Sequence, residues 1–483
     1  LRNRGLAFGD IEANPAAAAK PKPSESELIF EERVKRELHP LDAYPLLLEH
    51  AAANRAPERE NIFRFKWNGL FFLTPAKEAF MARLRIPAGQ LKSFQVREIA
   101  RVAGELSTGY IQITTRANLQ IRLIQPKDAP EVLRRIQSVG LHTRGAGADN
   151  IRNLTANPTA GIDPHELIDT APLCHQLAQI IIHHREFYDL PRKFNIAFDG
   201  GGLIGTVEET NDIGLKAVQV AGPEGEIKPG VYFRIKLGGA TGHQALARDL
   251  GVLVPPEEIL KVTVALVRVY LTHGNRGDRK KARLKHLLEK WTLEQYLAET
   301  EKVLGSKLLT APKDGVVESW SNGVLESGSH QSTNPSIHQS TSPPLHHSVP
   351  HSHVGVFPQK QKGLNYVGVA VPVGVLTVKQ LLRLADLADH YGSGELRLTV
   401  WQNLILPNVP DGFVETVKKQ LVRLGLHWQQ SNLRSGLVAC TGNSYCKFAS
   451  SNTKGHALEL ADYLEKRVRL DRPINIHLTG CPN

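Results

Sequence analysis

The sequence predicts an α+β fold in which two copies of one unit form a single pseudo-twofold domain, with α/β structure between and after them. Three observations lead to this prediction: an internal repeat, a strand–helix–strand–helix pattern in each copy, and a long intervening segment with its own strands and helices. The chain has 483 residues, 41% hydrophobic and 22% charged. At ~150 residues per domain this suggests about three domains and excludes disorder throughout.

The repeat keeps one register without a gap. Ile86–Leu91 matches Val371–Leu376, an offset of 285 residues. The same offset aligns further pairs: Gly109 with Gly394, Thr114 with Thr399, Asn118 with Asn403, Val132 with Val417, and Gly140–His142 with Gly425–His427. The copies are too far apart to stack as a solenoid, so we expect them to form the two halves of one domain. We place the first half at 61–145 and the second half at 356–428.

The remaining regions have different compositions. Residues 1–60 predict a peripheral N-terminal arm with helices around Glu27–Leu38 and Tyr44–Ala53, and packed structure is expected from about Phe63. Residues 311–355 are of low complexity and predict a disordered linker, since His-Gln-Ser-Thr occurs there twice. Residues 429–483 predict the start of a further domain that is incomplete.

The inserted domain, residues 146–310, shows alternating α/β signals. Its predicted strands are Phe194–Phe198, Leu215–Val220 and Val231–Leu237, and its predicted helices are Pro256–His273 and Arg279–Lys290. Apolar runs in the chain are too short for a membrane helix, and no secretory signal is visible. With only four cysteines in a chain of this length, we expect a reducing, cytoplasmic location and no disulfide framework.

Three of the cysteines lie near the end of the sequence. Cys440 and Cys446 are separated by five residues, and Cys481 follows in Leu478–Asn483. This spacing is wider than that of paired zinc ligands and is compatible with an iron–sulfur site, in which a Cys-Pro end is common. Three unrelated buried cysteines remain the alternative. Cys174, in a separate region, is interpreted as an ordinary buried thiol.

Basic residues recur beside turns and amide side chains. The net charge of +11 suggests an anionic ligand or an acidic partner, although a solvated basic surface also explains it. Arginine and lysine in such settings suit the binding of carboxylates or a small oxyanion. No phosphate-binding loop or basic stretch with interleaved aromatic residues is present, so we expect no nucleic-acid binding.

Together these motifs resemble the siroheme-containing nitrite and sulfite reductases, and more closely the ferredoxin-dependent nitrite reductase branch. The resemblance runs from about Phe63 to Asn483, apart from 311–355. It rests on Met81–Leu84, Thr114–Gln120, Asn150–Asn153, Gly161–Glu166, Leu190–Asn195, Asn275–Arg279, Thr399–Asn403, Cys440–Cys446 and Thr479–Asn483. It implies ferredoxin-like halves plus α/β siroheme-binding domains, with siroheme and a 4Fe–4S cluster at their junction.

The resemblance also implies site residues. The positions expected around the substrate are Arg83, Arg152, Lys193 and Asn195. Those expected to bind the cofactor are Arg116, Asn118, Gln120, Arg283 and Asn403. Cys440, Cys446 and Cys481 match three cluster thiolates. In the family the motif continues for two residues beyond Cys-Pro-Asn to a fourth cysteine, so the sequence is expected to be C-terminally truncated.

The implied activity is the six-electron reduction of nitrite to ammonium with electrons from an acidic ferredoxin, by a monomeric enzyme. Asn195 favours nitrite, because sulfite reductases typically carry a second lysine at that position and sulfite is largely a dianion. The alternatives are sulfite reduction to sulfide on the same scaffold, a related cobalamin-pathway oxygenase without siroheme, and an inactive truncated product.

Overall fold

The helices and strands follow from a computed structural model that describes residues 28–73, 78–221, 227–311, 316–317, 353–471 and 473–481. The helices are α1 Phe30–Glu37, α2 Tyr44–Ala52, α3 Arg59–Arg64, α4 Ser93–Glu105, α5 Ala129–Ser138, α6 Ala171–His183, α7 Ile259–His273, α8 Leu284–Leu287, α9 Leu293–Leu304, α10 Val378–Tyr391, α11 Val414–Arg423 and α12 Thr453–Glu465.

The strands are β1 Leu70–Leu73, β2 Ala79–Arg83, β3 Gln90–Lys92, β4 Tyr110–Thr114, β5 Asn118–Ile124, β6 Ile196–Asp199, β7 Ile213–Val220, β8 Gly230–Leu237, β9 Arg248–Val254, β10 Leu309–Thr310, β11 Val316–Val317, β12 Gly355–Pro358, β13 Leu364–Val369, β14 Val375–Thr377, β15 Glu395–Leu398, β16 Leu404–Pro410, β17 Leu437–Ala439 and β18 Ile476–Leu478.

The two halves contain equivalent sheets and exchange one strand each. One sheet has the order β1-β2-β5-β4-β14 and the other the order β12-β13-β16-β15-β3. Strand β14 of the second half pairs with β4 of the first, and β3 of the first half pairs with β15 of the second. Helices α4 and α10 pack against each other in a hydrophobic core shared by both halves. The predicted α+β class is confirmed.

The repeat extends to unusual backbone conformations before each exchanged strand. Ala88 and Val373, at equivalent positions, have φ of 56° and 45°, and the glycines that follow each of them both have φ of 70°. The left-handed region is unfavourable for residues with a side chain, so a shared tight turn accounts for its recurrence at equivalent positions. A Cβ on Gly89 would lie 2.6 Å from the Leu398 carbonyl oxygen of the other half.

The inserted domain is built on a mixed sheet. Its order is β10-β9-β8-β7-β11, with β6 parallel to β7. The three strands predicted from the sequence correspond to β6, β7 and β8, and the first predicted helix corresponds to α7. The hydrophobic core of this domain contains most of the apolar side chains of α6 and α7.

Two predictions about local structure are wrong. Arg279–Lys290 does not form one helix: a short 3₁₀ turn at Arg279–Lys281 is followed by the one-turn helix α8. Arg283 between them has an extended backbone, and its guanidinium pairs with Asp212. The 3₁₀ turn is instead capped by Asp278.

Packed structure also begins earlier than Phe63. Val34 of α1 and Leu47 of α2 are fully buried, and Lys35 donates a hydrogen bond to the Leu190 carbonyl oxygen at 3.2 Å. This packing could not be predicted from the sequence, because charged residues are usually solvated. Here Lys35 and Glu32 of α1 are buried as an ion pair. Residues 28–60 are therefore packed onto the inserted domain and the first half and do not form a peripheral arm.

Two further predictions concern the segment 311–355 and the region after residue 429. Of the predicted linker 311–355, the structure describes only 311, 316–317 and 353–355, so the disorder prediction lies outside the described residues. The region after residue 429 contributes the parallel pair β17–β18, packed on α12 in a small separate core. Within the described ranges, no helix combines the length and the apolar character needed to cross a membrane.

We predict that Gly89→Ala destabilises the protein more than Gly140→Ala does. Both glycines have positive φ, 70° and 74°, so both alanines carry a backbone cost of about 1 kcal/mol. Only the Gly89 Cβ also meets a carbonyl oxygen of the other half, whereas nothing lies within 4 Å of the Gly140 Cβ. Overpacking adds about 2 kcal/mol for Gly89→Ala. Urea unfolding of both variants measures the difference; equal midpoints would contradict the close approach of the halves.

Candidate functional site

Arg83 and Arg152 meet at one backbone carbonyl. Arg83 ends strand β2, and Arg152 follows the glycine-rich loop at 145–149. Their Nη1 atoms donate to the Ala146 carbonyl oxygen at 3.4 and 2.5 Å, and Arg152 Nη2 donates to the Ala148 carbonyl oxygen at 2.8 Å. The Arg83 guanidinium lies 4.5 Å from the ring centroid of Phe71. The structure thus brings two of the predicted substrate residues together.

Burial and mutual repulsion lower the pKa values of these cations. Burial, and secondarily the positive charge of Arg122, lowers the pKa of Arg83 to about 10. The pKa of Arg152 falls well below its ordinary value because of burial and the charge of Arg83. Burial lowers the pKa of Lys193 to about 7, with further lowering by Arg283 and Arg152. Each cation therefore lies within electrostatic range of the next.

Asn195 is held by its backbone and leaves its side-chain oxygen unsatisfied. Its backbone N–H donates to Asp212 Oδ2 at 2.8 Å, which fixes the start of β6. Its Oδ1 is buried and has no hydrogen-bond partner among the described residues, and the same holds for Arg83 Nε. Buried polar atoms without partners are costly, so a donor and an acceptor from a bound ligand would fit here.

The side chains of Arg116, Asn118 and Asn403 stabilise the protein's own loops. Arg116 donates to the Asn153 carbonyl oxygen through Nε and Nη2, at 3.0 and 2.8 Å. Asn118 Nδ2 donates to the Leu84 carbonyl oxygen. The equivalent residue of the second half, Asn403, accepts from the backbone N–H of Val371 at 2.9 Å. Their predicted role in cofactor binding remains a prediction.

Arg283 pairs with one carboxylate and also donates to the Gly239 carbonyl oxygen at 3.5 Å. Its Nε and Nη2 donate to the two oxygens of Asp212 at 3.1 and 2.8 Å, and the pair is buried. Asp212, which was not predicted from the sequence, also accepts a hydrogen bond from the Asn195 backbone N–H. A second unpredicted carboxylate, Asp149, accepts from Arg279 at 2.9 and 2.8 Å. Each of these two acids is already paired with an arginine, so it only partly offsets the charges of Arg152 and Lys193.

Arg122 links the first half to the loop Cys440–Cys446, called the cysteine loop below. Its Nε donates to Gln112 Oε1 at 2.7 Å, and its Nη2 donates to Gln120 Oε1 and to Thr441 Oγ1, both at 2.5 Å. Its guanidinium lies 5.0 Å from the ring centroid of Tyr445. Gln120, predicted to bind cofactor, therefore orients Arg122 in this structure.

The three cysteines near the end of the sequence lie on adjoining loops. Cys440 follows β17 and Cys481 follows β18, and these parallel strands end at the same edge. The Cys440 N–H donates to the Leu478 carbonyl oxygen at 3.0 Å. The Cys446 N–H donates to the Gly442 carbonyl oxygen at 3.1 Å, which folds the cysteine loop back on itself.

The thiols of Cys440 and Cys174 lie in different environments. Cys440 is partly buried, which opposes ionisation, but contacts from Thr453 Oγ1 at 3.5 Å and the Gly442 N–H at 3.4 Å bring its pKa below the ordinary value. Cys174 in α6 is fully buried, and burial raises its pKa to about 12. In the described part of the chain, no group of three or more His, Cys, Asp or Glu side chains is arranged to hold a metal ion.

Five basic residues form what we call the cation patch. They are Arg83, Arg122, Arg152, Lys193 and Lys454. The charge of Arg122 lowers the pKa values of Lys454 and Arg83. The charge of Arg83 in turn lowers the pKa of Arg152, and that of Arg152 lowers the pKa of Lys193.

The patch places positive charge beside the Cys440 thiol. Because buried charge is unfavourable without an opposite charge, its chemistry fits a thiolate-bound cluster together with a polyanionic group.

The sequence analysis assigned no role to Arg122 or Lys454. A signal for Arg122 existed in the repeat: the equivalent position of the second half is Pro407, so only the copy that contacts the cysteine loop carries the charge. Asp149, Asp212 and Lys454 had no comparable signal, because only the tertiary contacts distinguish them from surface charges.

Comparison with known families identifies both the two equivalent halves and the inserted domain. The nitrite/sulfite reductase ferredoxin-like half domain matches residues 74–139 and 357–424, and the nitrite and sulphite reductase 4Fe-4S domain matches residues 147–308. The ferredoxin–nitrite reductase of Synechococcus elongatus is 37% identical over 87% of this chain and 76% of its own length. The chloroplastic enzyme of Zea mays is 34% identical over 94% of this chain and 77% of its own length.

A solved structure supports the same relationship. The NirA protein of Mycobacterium tuberculosis matches with a TM-score of 0.81 at 28% sequence identity. The match covers 94% of this chain and 81% of the other.

We predict that Lys193→Met stabilises the protein prepared without prosthetic groups, and does so most at low pH. Lys193 has a pKa of about 7 when folded, against 10.5 ordinarily. Below about pH 7, Lys193 is charged in both the folded and the unfolded protein, so folding carries the full free-energy cost of burying the charge. As the pH rises further, only the unfolded chain keeps the proton, and the wild type gains up to about 1.4 kcal/mol per pH unit relative to the variant.

The measurement is the free energy of unfolding of both proteins from about pH 6 to about pH 10. The difference between their free energies of unfolding should decrease as the pH rises. A constant gap would mean that Lys193 stays charged across this range, which contradicts the burial of its ammonium group.

Proposed function

The chain belongs to the family of nitrite and sulfite reductases, and on that basis we propose that it reduces nitrite to ammonium with six electrons from reduced ferredoxin. The observation that carries this proposal is the 37% identity to a ferredoxin–nitrite reductase over 87% of the chain. Its cofactors are siroheme and a 4Fe–4S cluster, as in the family whose domains it contains. The overall reaction takes up nitrite, six electrons and eight protons, and releases ammonium and two water molecules.

The chemistry of the residues present suits these two groups, although within the described residues the three thiols are not arranged to hold a single metal ion. Cys440, Cys446 and Cys481 would supply cluster thiolates, and Cys174 is excluded as a further ligand because it is fully buried in α6 in a separate core. The cation patch would offset the carboxylates of the siroheme and the charge of the cluster. When bound, the two groups supply the electron storage and transfer that no side chain can provide.

The protein's own residues would bind and orient the substrate anion. Arg83 and Arg152 offer guanidinium N–H groups held in place by the Ala146 carbonyl oxygen, and Lys193 offers an ammonium group. An anion nearby favours the protonated form of Lys193, so its low pKa in the absence of ligand makes it able to hold or release a proton near neutral pH. These cations would stabilise the negative charge that develops as N–O bonds break.

Asn195 supports nitrite over sulfite as the substrate. It is a neutral residue beside Lys193, with an unpaired oxygen, and one fewer cation suits a monoanion better than a dianion. The relatives from Synechococcus elongatus and Zea mays are named ferredoxin–nitrite reductases, which favours the same choice. Sulfite reduction remains the second candidate because the matching family models include both kinds of enzyme.

We include in the proposal an acidic ferredoxin as donor, a monomeric state and a cytoplasmic location. The net charge of +11 suits an acidic protein partner. A chain of 483 residues with only four cysteines is typical of a reducing compartment.

The test is expression of the full-length protein with siroheme supplied. We expect a siroheme absorption spectrum, bound iron and acid-labile sulfide, and ferredoxin-driven conversion of nitrite to ammonium with a higher kcat/KM than for sulfite. Cys440→Ser should lose the cluster iron, whereas the matched variant Cys174→Ala should keep it, since Cys174 lies in another core. A higher kcat/KM for sulfite, or iron binding unaffected by Cys440→Ser, would refute the proposal.

We predict that Asn195→Lys shifts selectivity towards sulfite. A second ammonium beside Lys193 attracts a dianion more strongly than a monoanion, and a difference of about 1.4 kcal/mol gives about a tenfold change in the ratio of kcat/KM values. The neutral variant Asn195→Gln controls for size and should leave the ratio near that of the wild type. Steady-state assays with both anions measure it; the same shift in both variants would exclude charge as the cause.

A further inference from the structure

The cysteine loop is flanked by two cations, Arg122 of the first half and Lys454 of α12. Arg122 of β5 donates to Thr441 Oγ1 at 2.5 Å and lies over the ring of Tyr445, so it holds the loop to the first half. On the other side, Lys454 Nζ donates to the Val373 carbonyl oxygen of the second half and to the Ala439 carbonyl oxygen at 3.4 Å. Both cations are therefore placed next to the backbone that carries Cys440.

Neither cation is neutralised by its hydrogen-bond acceptors. Arg122 is only 3% exposed, yet its acceptors are the neutral side chains of Gln112, Gln120 and Thr441. Lys454 is partly buried, and its two acceptors are backbone carbonyl oxygens. The two charges also repel each other, since each lies within range of the other. Such an arrangement is unfavourable unless an anion lies beside it.

Local preferences also oppose these charges. Lys454 is in the first turn of α12, at the positive end of the helix, where a cation is unfavourable. Arg122 has no counterpart in the repeat, where Pro407 stands at the equivalent position. Lys454 stands against the helix dipole, and Arg122 departs from the repeat; what the loop binds explains why both cations lie beside it.

We propose that Arg122 and Lys454 set the reduction potential of the iron–sulfur cluster held by the cysteine loop. When reduced ferredoxin gives up one electron, the cluster gains it and becomes more negative by one charge. Nearby cations in a poorly hydrated site favour this more negative state and so raise the potential. Both are positioning residues that act through the field at the cluster, and this proposal rests on the proposed function.

The test compares neutral and charge-conserving variants of the loaded, full-length protein. Arg122→Gln and Lys454→Gln each remove one charge and keep a polar side chain, whereas Arg122→Lys and Lys454→Arg keep the charge. The measurement is the midpoint potential of the cluster in a redox titration followed by electron paramagnetic resonance. Siroheme absorbance, iron and acid-labile sulfide are measured for every variant.

We expect each neutral variant to lower the equilibrium constant for one-electron reduction about tenfold, which is about 59 mV. The charge-conserving variants should remain within about threefold of the wild type. Tyr110→Phe is the matched control: it removes the hydrogen bond between Tyr110 and Tyr445, a second link from the first half to the loop, without changing any charge. It should leave the potential unchanged.

Several outcomes would overturn the proposal. An unchanged potential in both neutral variants would exclude a role in tuning, and a shift of equal size in Tyr110→Phe would assign the effect to loop position. If the neutral variants unfold at the wild-type temperature but lose cluster iron, the cations hold the cluster and do not tune it. Loss of siroheme alone from Arg122→Gln would show that Arg122 binds the macrocycle instead. If the wild type binds no cluster, the proposed function fails instead.

Discussion

Positive charge that the protein does not neutralise is the constraint on which the rest of this structure depends. The cation patch runs from the cysteine loop to the start of β6, and along it the charge of one member lowers the pKa of the next. The two buried acids near it, Asp149 and Asp212, are already paired with Arg279 and Arg283. A chain that folds with this excess must gain the missing stabilisation from anions, which explains why the site suits a polyanionic prosthetic group and a small oxyanion substrate.

A rigid frame is needed to hold like charges close together. The exchange of β3 and β14 makes each sheet depend on the other half, so the halves cannot separate without breaking strand pairing. The turns before these strands use left-handed residues at equivalent positions in both copies. Arg83 ends a strand of this frame, and Arg122 lies within the neighbouring strand β5. Repulsion between the cations is therefore opposed by two sheets and a shared core.

The pseudo-twofold frame carries an asymmetric set of charges. The amides Asn118 and Asn403 keep equivalent positions and both stabilise backbone near their own sheet. Arg122, in contrast, faces the cysteine loop and is replaced by Pro407 in the other copy. Duplication of a unit thus provides the scaffold, and departures from the repeat mark the side on which the site is built.

Much of the fold and part of the site were determined by the sequence alone. The constant offset of the repeat predicted two equivalent halves, and hydrophobic periodicity predicted β6, β7, β8 and α7, because both signals are local. The motifs also identified Arg83, Arg152 and the three cysteines as candidates. Strand exchange, the packing of α1 and the break at Arg283 were decided only by tertiary structure, since each depends on partners distant in sequence. The same holds for the charges: residue type shows that a side chain is cationic, but only folding decides whether a carboxylate lies beside it.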